Sequence, residues 1–526
     1  MWARSSLENV GQTNFQGSES GEGVSLNHPN ESPSHMIQLP VVMSRIAFPA
    51  LVLIVSAATA DSAKFEDVTS DVGVHGFCCT QVAWGDYNND GWVDVYSDNL
   101  WRNNEGKFTK IDGPFEGPGI WGDYDNDGDL DLYMYAEGVL LRNDGDDVFT
   151  DVRSILDSRP MRICRGAAWG DLNGDGYLDL YMTGYENWDT GHEWHDVIFR
   201  NNGGESFTNV WHTPGILRGR GVTMADYDED GDLDIYVSNY RLQANWLFRN
   251  DGDFKFTDVA REVGNVCGEN VGNEYGHSVG SCWVDFDNDG HFDLIVGNFS
   301  HPPASQDRCK FYRNNLTEAG CTFVAHPGEV VRWQESYATG TFGDYDNNGF
   351  PDLYLTTKYA GDRSSLFRNT SARLNVHAGE EVVGLMANTW TMSDDTDATG
   401  TGHSGSYQAA WADFDNDGDL DLATGGLLLR NPGNENHHWL KVRLRGQGVN
   451  AFAIGAEVRI RAGRWILTRQ VEGATGEGNQ NDLTLHFGFG EYPGPVELQV
   501  KWPDGAKQTV PTTLDKSIEV VRDRVQ

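Results

Sequence analysis

Short apolar and aromatic runs alternate with acidic, glycine-bearing turns from Phe65 to Pro432, and the pattern recurs seven times. Each unit opens on a stretch such as Ala167-Ala168-Trp169-Gly170 or Gln408-Ala409-Ala410-Trp411-Ala412. A nine-residue turn follows, Asp-x-[Asp/Asn]-x-[Asp/Asn]-Gly-x-x-Asp, and then a strand-like run such as Leu130-Asp131-Leu132-Tyr133-Met134. Next comes a polar turn marked by an Arg-Asn pair: Arg102-Asn103, Arg142-Asn143, Arg200-Asn201, Arg249-Asn250, Arg313-Asn314, Arg368-Asn369 and Arg430-Asn431. Five of these pairs lead into a Phe-centred strand, as in Lys107-Phe108-Thr109. Strand, acidic turn, strand, polar turn and strand, with room for a fourth strand and no helical period, predict the blades of an all-β, seven-bladed β-propeller. The last unit lacks its Phe-centred strand, while an orphan copy, Lys64-Phe65-Glu66-Asp67-Val68, precedes the first. Lending that strand to the last blade would close the ring and remove an exposed sheet edge. An open array of hairpins is the alternative.

The pattern changes near Asn434. Leu440, Val442 and Leu444 alternate with Lys441, Arg443 and Arg445, and Val458 and Ile460 alternate with Arg459 and Arg461. Leu483, Leu485 and Phe487, and then Val496, Leu498, Val500 and Trp502, continue in the same way. Period-two patterning predicts a small antiparallel β-domain with one buried face. Its basic faces are either solvated or docked on something acidic, the propeller itself or an anionic glycan.

Charge separates the same two regions. The chain carries a net −40, yet residues 437–526 hold twelve Lys/Arg against ten Asp/Glu. The whole deficit therefore lies upstream. Aromatic residues at 11%, with 17 Trp, argue for a packed core rather than acidic disorder. So acidic a chain argues against nucleic acid as a partner and leaves two explanations for the charge, solvated acidic faces or carboxylates gathered for hard cations.

The seven turns supply the ligands. They comprise Asp86, Asn88, Asp90 and Asp94; Asp123, Asp125, Asp127 and Asp131; Asp171, Asn173, Asp175 and Asp179; Asp226, Asp228, Asp230 and Asp234. The remaining three are Asp285, Asp287, Asp289 and Asp293; Asp344, Asp346, Asn348 and Asp352; and Asp413, Asp415, Asp417 and Asp421. Positions 1, 3, 5 and 9 turn oxygens into one concavity, and Gly at position 6 allows the sharp turn. All-oxygen donors predict structural Ca2+, up to seven ions, with weaker sites where Asn replaces Asp at Asn88, Asn173 and Asn348. Metal-free Asx turns are the competing reading. No Glu stands at position 12 and strands flank each loop, so these are braces rather than sensor switches.

Residues 1–42 are polar and predicted to be disordered or a non-native extension. Residues 43–60 read as a signal peptide: Met43-Ser44-Arg45, an apolar run from Ile46 to Val55, and Ala58-Thr59-Ala60. A retained anchor is the rival. The expectation is a secreted, extracellular or cell-surface protein (the periplasm included), monomeric and without a stable membrane span after cleavage. The propeller is assigned to 61–433 and the β-domain to 434–526. Cys267–Cys282 and Cys309–Cys321 are plausible local disulfides in an exported chain.

The acidic repeats resemble the FG-GAP/VCBS blades of integrin α-chain propellers, although the Phe-Gly and Gly-Ala-Pro signatures are poorly kept. Asn450 to Gly455-Ala456-Glu457-Val458, Leu485-His486-Phe487-Gly488-Phe489-Gly490 and Lys501-Trp502-Pro503-Asp504-Gly505 resemble the ASPIC/UnbV domain. The combination resembles the cartilage acidic protein family, which implies an extracellular, calcium-binding protein.

No catalytic constellation stands out. His192-Glu193-Trp194-His195 lacks the one-turn His spacing of a zinc helix, and Gly402-His403-Ser404-Gly405-Ser406 is not a nucleophile elbow. The sequence points to a binding or adhesion module for an unidentified extracellular protein or glycan. The alternative is an exported carbohydrate- or phosphodiester-cleaving enzyme, whose residues would converge on the insertions Ser371–Thr401 and Glu262–Cys282.

Overall fold

The computed structural model describes residues 64–523 apart from 78–80, 158–162, 271–273, 301–307, 327–329, 371–390 and 464. The N-terminal extension, the apolar run, Cys78 and Cys79 lie outside the described residues.

Seven four-stranded antiparallel sheets form the blades. Blade 1 spans 83–111, blade 2 119–151, blade 3 167–212, blade 4 219–258, blade 5 277–325, blade 6 337–394 and blade 7 409–430. Neighbouring blades pack through their innermost strands in cyclic order, and that of blade 7 returns to blade 1. Blade 7 takes its outer strand from the N-terminus: Glu66 pairs with Arg430 and Asp67 with Leu429. Blade 6, which has no Phe-centred strand, uses Met392–Asp394 against Ser365–Asn369.

The residue two places before each loop packs between blades. Trp84, Trp121, Trp169 and Trp411 are fully buried there. Tyr87 of blade 1 stacks on Trp121 of blade 2 with centroids 5.9 Å apart, and Tyr227 of blade 4 on Trp283 of blade 5 at 6.0 Å. Close approach explains the glycine that follows several of these tryptophans. A Cβ on Gly122 would meet the Trp169 ring at 2.7 Å, and one on Gly85 the Trp121 ring at 2.8 Å.

The C-terminal module has two sheets. In one, His438–Arg445 pairs antiparallel with Leu485–Gly490 and parallel with Lys516–Val521. The other orders Trp465–Gln470, Glu457–Ala462, Val496–Lys501 and Lys507–Thr512, all antiparallel. Leu440, Val458 and Leu498 of the module share one continuous apolar cluster with Trp121, Leu180 and Ile235 of the blades.

Neither expected disulfide forms, because Cys282 and Cys321 are free thiols. The two members of each expected pair lie in different apolar clusters. Cys267 and Cys321 pack with Tyr227 and Trp283, and Cys282 and Cys309 with Phe286 and Phe311.

Candidate metal sites on the loop face

Two left-handed residues shape every acidic loop. Position 4 (Asn89, Asn126, Gly174, Glu229, Asn288, Asn347, Asn416) has φ between 55° and 70°, and the position-6 glycine φ between 87° and 108°. These turns aim the amides of positions 5 and 6 at the first carboxylate. Asp90 N lies 3.0 Å from Asp86 Oδ1 and Gly91 N 3.1 Å from Asp86 Oδ2, and the pattern recurs at Asp171, Asp285, Asp344 and Asp413.

Position 9 plays another part. Asp94, Asp131, Asp179, Asp234, Asp293, Asp352 and Asp421 are wholly buried. Each accepts, within 2.9 Å, the backbone amide of the Asn in its blade's Arg-Asn pair. The carboxylate thereby ties the loop to the third strand.

Five loops bring three carboxylates together with oxygens within 4.8 Å of one another: Asp123/Asp125/Asp127, Asp226/Asp228/Asp230, Asp285/Asp287/Asp289, Asp344/Asp346/Asp352 and Asp413/Asp415/Asp421. The loops of Asp86 and Asp171, with Asn at position 3, form no such triad. There the Asn88 and Asn173 amides turn toward Asp90 (2.9 Å) and Asp175 (2.8 Å).

Local Asx bonds are present as well, such as Trp92 N to Asp90 Oδ1 at 2.8 Å. They do not satisfy the loops. Asp123 Oδ1, Asp125 Oδ1, Asp226 Oδ1, Asp228 Oδ1, Asp234 Oδ2 and Asp415 Oδ1 are buried with no hydrogen-bond donor. Burial, and then the charges of Asp127 and Asp125, push the Asp123 carboxyl up to about 7. Buried, mutually repelling carboxylate oxygens without donors fit a hard divalent cation.

The Asn residues of the motif join the blades, a role the sequence reading missed. In all seven blades the Asn of the Arg-Asn pair donates its side-chain amide to the carbonyl of loop position 2 in the preceding blade, within 2.9 Å. Five position-4 Asn amides reach the position-6 carbonyl of the next loop, from Asn89 to Gly128 through to Asn416 to Gly91. Recurrence of Asn at position 4 was the available signal.

The basic strands of the C-terminal module lie on this ring of loops. Lys441 Nζ stands 2.8 Å from Asp413 Oδ2 and 2.7 Å from Asn416 Oδ1. Arg443 Nη1 is 2.5 Å from Asp86 Oδ2, Arg459 Nη2 is 2.7 Å from Glu229 Oε1, and Lys501 pairs with Asp226. Of the two readings of those basic faces, docking on the propeller is the one observed.

The module also fills the central channel. Segment 473–482 bonds to the innermost strand region of every blade: Gly473 to Trp169, Thr475 to Ser281, Gly476 to Val222, Gln480 to Val82 and Trp121, Asn481 to Thr341 and Asp482 to Trp411. Gln480 holds Trp121 from both sides, accepting its amide at 2.8 Å and donating to its carbonyl at 3.0 Å. Gly-Glu-Gly-Asn-Gln-Asn (476–481) carries neither apolar period nor charge run, so nothing in its composition announced a plug.

The imitations of catalytic motifs lie apart. His192–Glu193 pairs with Glu186–Asn187 in a side hairpin of blade 3, where Glu193 meets Arg218. His403 lies in the segment before blade 7, and burial lowers its pKa. No helix among the described residues is long and apolar enough to cross a membrane.

A model described as "FG-GAP-like repeat" matches residues 123–182, 189–237 and 226–296, and one described as "ASPIC and UnbV" matches 446–523. Cartilage acidic protein 1 of Xenopus tropicalis is 27% identical over 299 residues, covering 55% of this chain and 42% of that protein. The Homo sapiens protein is 26% identical over 298 residues, covering 55% and 41%. The chain thus spans under half the length of these relatives. Among solved structures, an Agrocybe aegerita lectin that recognises non-reducing terminal N-acetylglucosamine aligns at 17% identity and TM-score 0.34, covering 66% of this chain and 85% of that one. The Vibrio cholerae biofilm matrix protein Bap1 aligns at 14% and 0.27, covering 82% and 58%. The chain thus carries FG-GAP-like repeats within its propeller and an ASPIC and UnbV domain after it, and is similar to cartilage acidic protein 1.

Proposed function

We propose that this protein is a secreted, calcium-braced binding module that engages an extracellular protein or glycan through the propeller face opposite the acidic loops. The observation that carries the reading is the division of labour between the two faces. The loop face is occupied twice over, by carboxylates arranged for cations and by the basic strands of the C-terminal module. The opposite face, at the far ends of the inner hairpins, exposes Trp188 (65%) and Trp333 (44%). Exposed aromatics on a rigid scaffold are the usual anchors of recognition.

Calcium suits the loops because their donors are oxygens alone, on flexible Asx turns that tolerate irregular coordination. Magnesium demands a stricter octahedron. When bound, the ion would neutralise the clustered carboxylates and stiffen the hairpins against which the module docks. Thermal unfolding of residues 61–526 with calcium, magnesium or a chelator, alongside metal counting by mass spectrometry, tests this. The expected result is several calcium ions per chain and a large rise in melting temperature specific to calcium. No bound calcium and no shift would remove the metal from the account.

A further inference from the structure

We propose that the mouth of the central channel, on the face opposite the acidic loops, is a pocket for the acidic end group of a saccharide chain. This deepens the binding-module reading and rests on it.

The position follows from topology. Arg165 and Tyr407 stand just before the innermost strands of blades 3 and 7, and Arg220 near the start of that of blade 4. Tyr240 and Lys358 stand just after the second strands of blades 4 and 6. The acidic loops join those strands at their other ends. The residues named, with Glu477 of the plug, border a cavity of about 520 Å³, within the size range of small-ligand sites.

Its charge runs against the rest of the chain. In a protein of net charge −40, this cavity gathers three cations and one carboxylate among its described residues. Arg220 pairs with Glu477 and lies over the rings of Tyr185, Tyr240 and Tyr407 at 4.9–5.7 Å. Arg165 sits 5.2 Å from the Tyr185 ring centroid and Lys358 4.9 Å from that of Tyr407, with no carboxylate partner for either among the described residues. Two cations held against aromatic faces, with no counter-ion among the described residues, are poised for an anion from outside.

The aromatic walls and the blind floor narrow the class. Tyrosine faces suit the C–H face of a pyranose ring, while guanidinium and ammonium suit a carboxylate or sulfate on it. The Gly476-Glu477-Gly478 turn closes the channel from below, through Val222, Tyr135 and Gln81. A ligand therefore enters from one side only, which selects a chain end over a chain middle. An extended peptide would need a free strand edge, and the inner edges here are bonded to the plug.

Calorimetric titration of residues 61–526 in calcium tests the assignment with four probes. These are a hyaluronan-derived disaccharide (carboxylate only), a heparin-derived sulfated disaccharide, neutral cellobiose and hexaglutamate. We expect at least one acidic disaccharide to bind, cellobiose to bind far more weakly, and Arg165→Gln and Lys358→Gln each to weaken binding by about tenfold, the worth of one charge-assisted hydrogen bond. Which acidic disaccharide binds distinguishes carboxylate from sulfate recognition. Both variants must keep the wild-type calcium-dependent melting temperature. No binding, equal binding of cellobiose, tighter binding of hexaglutamate, or binding indifferent to both substitutions would overturn the pocket. If calcium stabilises the chain and no acidic saccharide binds, only the pocket falls; if calcium does nothing, the calcium-braced reading falls on its own evidence.

Discussion

Asn103 donates its side-chain amide to the backbone carbonyl of Phe414, 2.8 Å away and 311 residues later in the chain. This bond joins blade 1 to blade 7, and its six counterparts join every other neighbouring pair. The same amide also reaches Val93 O at 3.1 Å. A seam closed between the two ends of the repeat array thus uses the same latch as every internal boundary.

Removing one latch should cost stability at any blade. Asn103→Ala strands two buried carbonyls, which predicts a loss of about 2–4 kcal/mol. Asn143→Ala, which breaks the equivalent bonds to Tyr87 and Leu130, should cost a similar amount. Urea unfolding in calcium measures both. A seam variant far milder than the internal one would argue that the ring is not tightly closed.

Metal and charge should produce opposite signs at one residue. In calcium, Asp123→Asn removes a ligand, so the bound-metal count should fall by one and the melting temperature with it. In chelator the same change relieves a carboxyl pushed up to about 7 by burial and its neighbours, so stability should hold or rise. Paired melting curves would show the crossover.

Module docking depends on a buried ion pair. Lys441 and Asp413 are 7% and 1% exposed and 2.8 Å apart. Lys441→Ala leaves a buried carboxylate without its cation, and a cost of about 3–5 kcal/mol is expected. Adding Asp413→Asn should recover part of that loss. A double-mutant cycle in chelator, where no bound calcium compensates Asp413, checks the coupling.

The plug predicts that the propeller does not stand alone. Fragment 61–433 loses the hydrogen bonds that segment 473–482 makes to all seven blades, and it should melt well below the full chain. Gln480→Ala, which frees both backbone groups of Trp121, should lower stability by about 2–3 kcal/mol. Equal melting temperatures for fragment and full chain would refute the bracing role.

Asp196 should give the acid side of the stability curve its slope. The carboxyl accepts the Tyr181 hydroxyl and the Gly184 amide, both at 2.7 Å. Burial nonetheless raises its pKa to about 7. A raised carboxyl favours the protonated form, so its contribution is complete below the ordinary carboxylate range and is lost as pH rises through about 7. Asp196→Asn should flatten that decline between roughly pH 4 and pH 7. An unchanged profile would place the ionised form in the core.

The repeat made the blades legible because local rules write them. Trp-Gly before three of the loops, Asx-type turns with Gly at position 6 and alternating strands all depend on neighbours a few residues away. Even ring closure could be read, since Phe65-Glu66-Asp67 is a local copy of the strand that blade 7 lacks. The long insertion before Met392 hid the outer strand of blade 6, because sequence distance carries no pairing register.

Local chemistry by itself determined the seven acidic loops, their oxygen-only donor sets, the propeller class and the β-rich C-terminus, since turns and alternation are set by nearest neighbours. Only the tertiary structure decided what meets what. It set Lys441 on Asp413, Gln480 around Trp121 and Cys267 in a different cluster from Cys282. It also left Arg165 and Lys358 without a carboxylate partner among the described residues at the channel mouth. These relationships join residues tens to hundreds of positions apart, and their free energy comes from burial and pairing that exist only once the ring has closed.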